Sequence, residues 1–243
     1  MVNKLKQRNN MEITPPQDSV FAKHVPIIVT DNGTIGSIYS IYITKPIDET
    51  HLYDELVYLL THSVKDTDEV HLYLSTPGGY INATMYIIDA MLKCPATITG
   101  ILSGCIASAG TMITMACDYL EINEYSSMMI HNYRGGYYGA AHEIEMDFKF
   151  THPHTQKFMR EMYKGFLTDE ECDIVFSGQD KYLNADEIAK RWNNVIEERE
   201  LLHQEIHKEE LMDKINDIQS ELQQVGYTIV PISTEEPKKT KSK

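Results

Sequence analysis

The sequence predicts an α/β fold with mainly parallel strands, and three observations predict it. First, short runs of β-branched and aromatic residues recur at strand density: Ile38–Thr44, Val70–Ser75 and Ala96–Leu102. Second, segments with apolar residues at helical spacing lie between them, Leu52–Val64 and Asn82–Lys93. Third, the joints carry turn chemistry: Thr76-Pro77-Gly78-Gly79 after one strand and Ser103-Gly104 after another. Repeated strand–turn–helix units imply parallel strands joined by helical crossovers.

Each element then follows in order. Residues 1–36 are polar and broken by Pro15, Pro16, Pro26, Gly33 and Gly36, and are expected to form an irregular arm. The α/β body is expected over residues 37–196. Within Leu52–Val64 the apolar positions are Leu52, Leu56, Leu59, Leu60 and Val64. Pro95 stops the helix over Asn82–Lys93. The small-residue run Ala107–Ala116 is expected to be helical, with short strands near Tyr119–Asn123 and Met128–His131. A Gly-rich, hairpin-like segment Asn132–Gly139 precedes a long helix from about Ala140 to Lys164. Short helices are expected over Asp169–Phe176 and Asn184–Trp192. Residues 197–243 change texture. Leu211, Ile215, Ile218, Leu222 and Val225 form a heptad-like seam on one charged helix, and Thr234–Lys243 is expected to be disordered. That helix reads either as an appendage on its own domain or as a partner-binding element.

Composition excludes several function classes. The 243 residues are 42% hydrophobic and 24% charged, enough for a proper core. A net charge of -14 argues against a nucleic-acid or anionic-membrane surface as the main partner, since both need a basic face. No stretch approaches the roughly 20 apolar residues of a spanning helix. The positively charged start has no apolar run behind it, so a cytoplasmic location is expected. Cys94, Cys105, Cys117 and Cys172 contain no Cys-x-x-Cys pair. Three of them lie in apolar surroundings and are expected to be buried free thiols, with no metal or redox role.

Four short segments carry possible chemistry. Pro77-Gly78-Gly79 allows unusual backbone dihedrals, and free N–H groups there can hold an oxyanion; it is also an ordinary turn. Gly104-Cys105-Ile106-Ala107-Ser108-Ala109-Gly110 sets one serine among small residues at a helix start. There the helix dipole favours a nucleophile's developing charge, though close packing on a sheet explains the small residues equally. His131 closes the apolar Met128-Met129-Ile130, as either a base or a satisfied core residue. Asp180 sits in a turn expected just before a helix, as either an orienting acid or a cap.

Taken together and in chain order, Pro-Gly-Gly, Ala-Ser-Ala-Gly, Met-Ile-His, Gly-Gly and Asp-x-Tyr-Leu resemble the proteolytic subunit of the Clp protease family. Gly79, Ser108, His131 and Asp180 are separated by 29, 23 and 49 residues, matching the family with a small deletion between serine and histidine. The resemblance covers roughly Ile38 to Ile196. It implies a crotonase-like fold of repeated β-β-α units with a protruding handle helix. It implies Ser108 as nucleophile, His131 as general base, Asp180 as orienter and the Gly79 and Ala109 N–H groups as the oxyanion hole. Gly135 and Gly136 would belong to the substrate-aligning strand. It further implies homo-oligomeric heptameric rings stacked in pairs, an AAA+ unfoldase partner, polypeptide substrates and no cofactor or metal.

Three features depart from the family pattern. Asn132-Tyr133-Arg134 stands where Gln-Pro usually follows the histidine, the segment before Ile38 differs, and the extension after Ile196 is additional. Other readings are a bacteriophage head-maturation or scaffold protease, a catalytically inert structural relative, and a crotonase-type acyl-CoA enzyme. His142, His152 and His154 lack ligand partners at metal spacing and are expected to be exposed helix residues. The run from Met146 to Tyr163, with Phe148, Phe150 and Met159, is expected to serve packing.

Overall fold

The computed structural model describes residues 24–31, 33 and 36–225. The chain divides into two compact units, residues 1–193 and 194–243. The expected disordered tail and most of the amino-terminal arm lie outside the described residues.

The first unit is built on a five-stranded sheet. Its strands are β1 (Ile27–Asp31), β2 (Ser37–Ile43), β3 (Glu69–Leu74), β4 (Thr97–Leu102) and β6 (Tyr119–Ile122), in that spatial order. From β2 to β6 all pairs are parallel, as the repeated strand–turn–helix pattern requires. Side chains alternate across each strand. In β3, Val70, Leu72 and Leu74 are buried while Glu69 is exposed. The register places Ile41, Leu72 and Gly100 side by side, then Ile43, Leu74 and Leu102. Gly100 lets two side chains close in on the sheet, since a Cβ there would lie 2.8 Å from both Cys117 Sγ and Leu120 Cδ2 and would displace them.

Helices cover this face. A 3-10 turn (Thr50–Tyr53), α1 (Asp54–Tyr58) and a π turn (Leu59–Ser63) run on as one helical stretch, and α2 spans Ile81–Met91. Leu56, Leu60, Ile87 and Met91 meet Ile41, Val70, Leu72 and Ile98. Each such side chain taken from water stabilises the fold by about 1.5–3 kcal/mol before conformational entropy is counted.

A second, three-stranded sheet carries the chemistry. β5 (Cys105–Ala107) pairs parallel with β7 (Ser127–Ile130), which pairs antiparallel with β8 (Lys181–Asn184). The remaining helices are α3 (Ala109–Met115), α4 (Ala141–Met162), α5 (Asp169–Phe176) and α6 (Ala185–Gln224). In α4, Thr155 and Met159 are buried, while Met146, Phe148 and Phe150 toward its start are exposed.

Several expectations need correction. Residues 27–31 are a strand rather than irregular arm, because the β-branched run pairs back on β2 (Ile27 opposite Ile41). Cys105–Ala107 is a strand, so α3 begins only at Ala109. Asp180 precedes β8, not a helix directly; four residues are too few to reveal strand alternation. Among the described residues Asn132–Gly139 forms no strand ladder, so it is not a hairpin. The helices expected over Asn184–Trp192 and 197–224 are one 40-residue helix, since no glycine or proline interrupts it. Two cysteines, not three, are buried; Cys105 is exposed and Cys94 intermediate.

The second unit, taken by itself, contains the remainder of α6. Leu211, Ile215, Ile218 and Val225 on its seam are exposed. No helix among the described residues is long and apolar enough to cross a membrane.

Candidate active site

Ser108 stands at the joint between β5 and α3 with φ 54 and ψ −126, the one non-glycine residue with positive φ among those described. Such a conformation costs about 1–3 kcal/mol and persists only where the surroundings over-determine it. Here they do. The Ser108 N–H donates to Met129 O at 2.8 Å, and the Ala107 N–H to Thr76 O at 2.8 Å. The Thr111 hydroxyl donates to Ser108 O at 2.6 Å. That uses the only Thr111 hydroxyl proton, so the buried Tyr163 hydroxyl donates to Thr111 Oγ1, also at 2.6 Å. Burial pushes the Tyr163 phenol well above its ordinary range and keeps it a donor.

The glycine turn is packed against this joint. Gly78 has φ 84, and a Cβ on it would lie 2.6 Å from Ala107 O, 2.7 Å from Ser108 Cβ and 2.8 Å from Ala109 N. Gly79 has φ 156, and its Cβ would meet Ile47 O at 1.9 Å. The Ile47 N–H donates to Gly78 O and the Tyr80 N–H to Ile47 O, at 2.8 and 2.9 Å. In such a bridge the backbone groups of Gly79 point away from Ile47. Neither the Gly79 nor the Ala109 N–H has an acceptor among the described residues. Thr76 fixes the turn: its hydroxyl donates to Lys45 O and accepts the Gly78 N–H, at 2.7 and 3.1 Å.

His131 follows β7 directly, and its Nε2 lies 2.7 Å from Ser108 Oγ. Burial holds the imidazole below its ordinary pKa, and the Arg134 guanidinium adds to this, while Asp180 opposes both. The ring is therefore neutral near pH 7, able to accept the hydroxyl proton. Asp180 is less closely held. The β7–β8 register pairs Ile130 with Lys181, so one further step sets His131 opposite Asp180. Yet Asp180 is exposed and makes no side-chain hydrogen bond to the imidazole. Serine, histidine and glycine turn come together; the acid stands nearby.

These groups open on a cleft of about 320 Å³ lined by Gly78, Gly79, Ser108, Ala109 and His131, with Met112, Tyr133, Arg134 and Met159 as further walls. Gly135 and Gly136 are exposed and do not line it. His152 is not simply exposed, since it lies 2.6 Å from the Tyr133 hydroxyl and stacks on Phe148. Among the described residues no three His, Cys, Asp or Glu side chains gather as a metal site. Sequence reasoning missed Thr76, Thr111 and Met112. A hydroxyl immediately before Pro-Gly-Gly was the available signal for Thr76; nothing marked the other two.

The arrangement can transfer a serine hydroxyl proton to a neutral imidazole beside two free N–H donors. A family model described as Clp protease matches residues 34–193. ATP-dependent Clp protease proteolytic subunits from three strains of Streptococcus pyogenes are each 27% identical over 137 residues, covering 50% of this chain and 69% of the relative. With its α/β fold and a match across most of the first unit, the chain belongs to the Clp protease family, which supports a serine-type peptidase.

Proposed function

We propose that the chain is a serine endopeptidase in which Ser108 is the nucleophile, His131 the general base and Asp180 the orienting acid. The observation that carries this reading is the 2.7 Å approach of His131 Nε2 to Ser108 Oγ, at a strained turn beside a glycine turn with an unused N–H. The Ser108 hydroxyl attacks the peptide carbonyl carbon while His131 takes its proton. The carbonyl electron pair moves onto oxygen, which the Gly79 and Ala109 N–H groups stabilise. Collapse breaks the C–N bond, and His131 returns the proton to the leaving amine, giving an acyl-enzyme. Water activated by His131 then releases the acid and restores Ser108. Asp180 fixes the tautomer with Nδ1–H facing it. Gly135 and Gly136 lie in the segment between His131 and α4, where an extended substrate strand would find unpaired backbone.

A fluorophosphonate probe tests the chemistry. It is expected to label wild-type protein and not Ser108→Ala; an unlabelled wild type, or equal labelling of both, defeats the reading.

The biological setting we infer is degradation of unfolded polypeptides inside a cytoplasmic chamber of stacked heptameric rings fed by an AAA+ unfoldase. Two things favour it: the relatives are named ATP-dependent, and α4 leaves Met146 and Phe150, one helical turn apart on one face, exposed. Sedimentation at micromolar concentration is expected to show a ring-sized particle, and a stable monomer would rule the chamber out.

A further inference from the structure

Asn132 follows His131 directly and is half-buried. Its Nδ2 donates to the carbonyl oxygen of Phe176, the last residue of α5, at 2.9 Å. Its Oδ1 is the one buried side-chain oxygen or nitrogen without a hydrogen-bond partner among the described residues. A buried acceptor left unpaired is costly and calls for a reason to be kept.

The turn that carries Asp180 runs from Phe176, at the end of α5, through Ser177, Gly178 and Gln179. Its far end is pinned. Lys181 sits in the β7–β8 ladder, and its Nζ lies 2.8 Å from Glu171, which Arg191 also grips through two hydrogen bonds of 2.7 Å. Between those ends the turn is solvent-exposed and held by α5 alone. Gly178 has φ 104 with nothing within 4 Å of its Cβ position, and the backbone bonds of the turn (Ser177 N–H to Asp173 O at 2.9 Å, Gly178 N–H to Val175 O at 3.0 Å, Gln179 N–H to Ile174 O at 3.3 Å) all run back to α5 and none to β7. The near end is where the Asn132 amide takes hold.

We propose that Asn132 is a positioning residue that ties the Asp180 turn to the strand bearing His131, and so holds the carboxylate within reach of the imidazole. The role rests on the reading of Asp180 as orienter of His131. The charged groups facing that ring are Arg134 from its own segment and Asp180 from across the ladder.

The test follows His131 itself. The full chain, with 13C-labelled histidine, is titrated by NMR as wild type, Asn132→Ala, Asp180→Asn and the double variant, with His131→Gln to assign the resonance. The Asp180→Asn change removes a nearby anion and lowers the His131 midpoint. Asn132→Ala is expected to reproduce most of that lowering, and the double variant to titrate like Asp180→Asn alone. A wild-type midpoint in Asn132→Ala, or a full additional shift in the double variant, would overturn the proposal. If the alanine variant does not fold, Asn132→Ser, too short to reach Phe176 O, gives the same comparison. Should fluorophosphonate fail to label Ser108, the peptidase reading falls, while the midpoints still decide the role of Asn132.

Discussion

Ser108 and Asp180 both occupy turns beside the three-stranded sheet, and the two turns are held in opposite ways. Around Ser108 there is no slack: Ala107, Ala109 and Gly110 are buried, Gly78 leaves no room for a methyl group, and four hydrogen bonds fix the joint. Around Asp180 the chain is exposed, Gly178 faces open space, and the carboxylate has no bond to the imidazole. A nucleophile in a strained conformation needs packing to keep it there. In the role proposed for Asp180, a carboxylate can act on the imidazole through charge without a direct bond, and so tolerates a more exposed turn.

The contrast can be broken most sharply at the tight turn. Gly78→Ala forces a Cβ within 2.8 Å of three atoms of the Ser108 joint. It is expected to cut peptide hydrolysis and fluorophosphonate labelling by about 10²–10³-fold, the scale of losing an oxyanion donor, and to lower stability by about 1–3 kcal/mol. Steady-state kinetics with thermal unfolding checks both. Asp180→Asn comes next. Because the acid is loosely held, it should lower kcat by about 10–10³-fold, less than the roughly 10⁴-fold seen where a triad acid is firmly bonded. A loss as large as that of His131→Ala would erase the distinction between the turns.

A smaller effect concerns the base of the acid's turn. Hydrogen bonds from Arg191, then Lys181 and the Thr168 N–H, push Glu171 down to about 2 despite its partial burial. Its folded value lies below the unfolded one, so its contribution is present above about pH 4.5 and is lost as pH falls toward 2. Asp68, held down by the Ser37 and Lys65 N–H groups, acts in the same direction. Urea unfolding between pH 5 and 2.5 should therefore steepen in the wild type and flatten in Glu171→Gln, with a difference on the order of 1–3 kcal/mol at neutral pH. The smallest effect is expected from Gly178→Ala. Only its positive φ opposes the methyl group, so the cost is about 1 kcal/mol, with kcat changed less than about threefold.

Much of this was legible before folding. β2, β3 and β4 were readable because a half-buried strand alternates, and α2 because its apolar residues fall at helical spacing. The order of Gly79, Ser108, His131 and Asp180 marked the family. β5 and β8 were not readable, since strands of three and four residues carry too little periodicity. The strand β1 was hidden by the surrounding prolines and glycines. The continuity of α6 was hidden by the change from a packed to a charged surface, although nothing local breaks the helix.

The sequence by itself determined which side chains are present for the chemistry, and it determined the α/β class through its two periodicities. Only the tertiary structure decided how those side chains meet. The approach of His131 to Ser108 depends on β5 and β7 lying side by side, a pairing between segments over twenty residues apart in the chain. The placement of Asp180 opposite His131 depends on the register of β7 with β8, which begins one residue after it. Local pattern encodes an element's type, whereas distances between elements are set by the packing and hydrogen bonds of every segment that joins them.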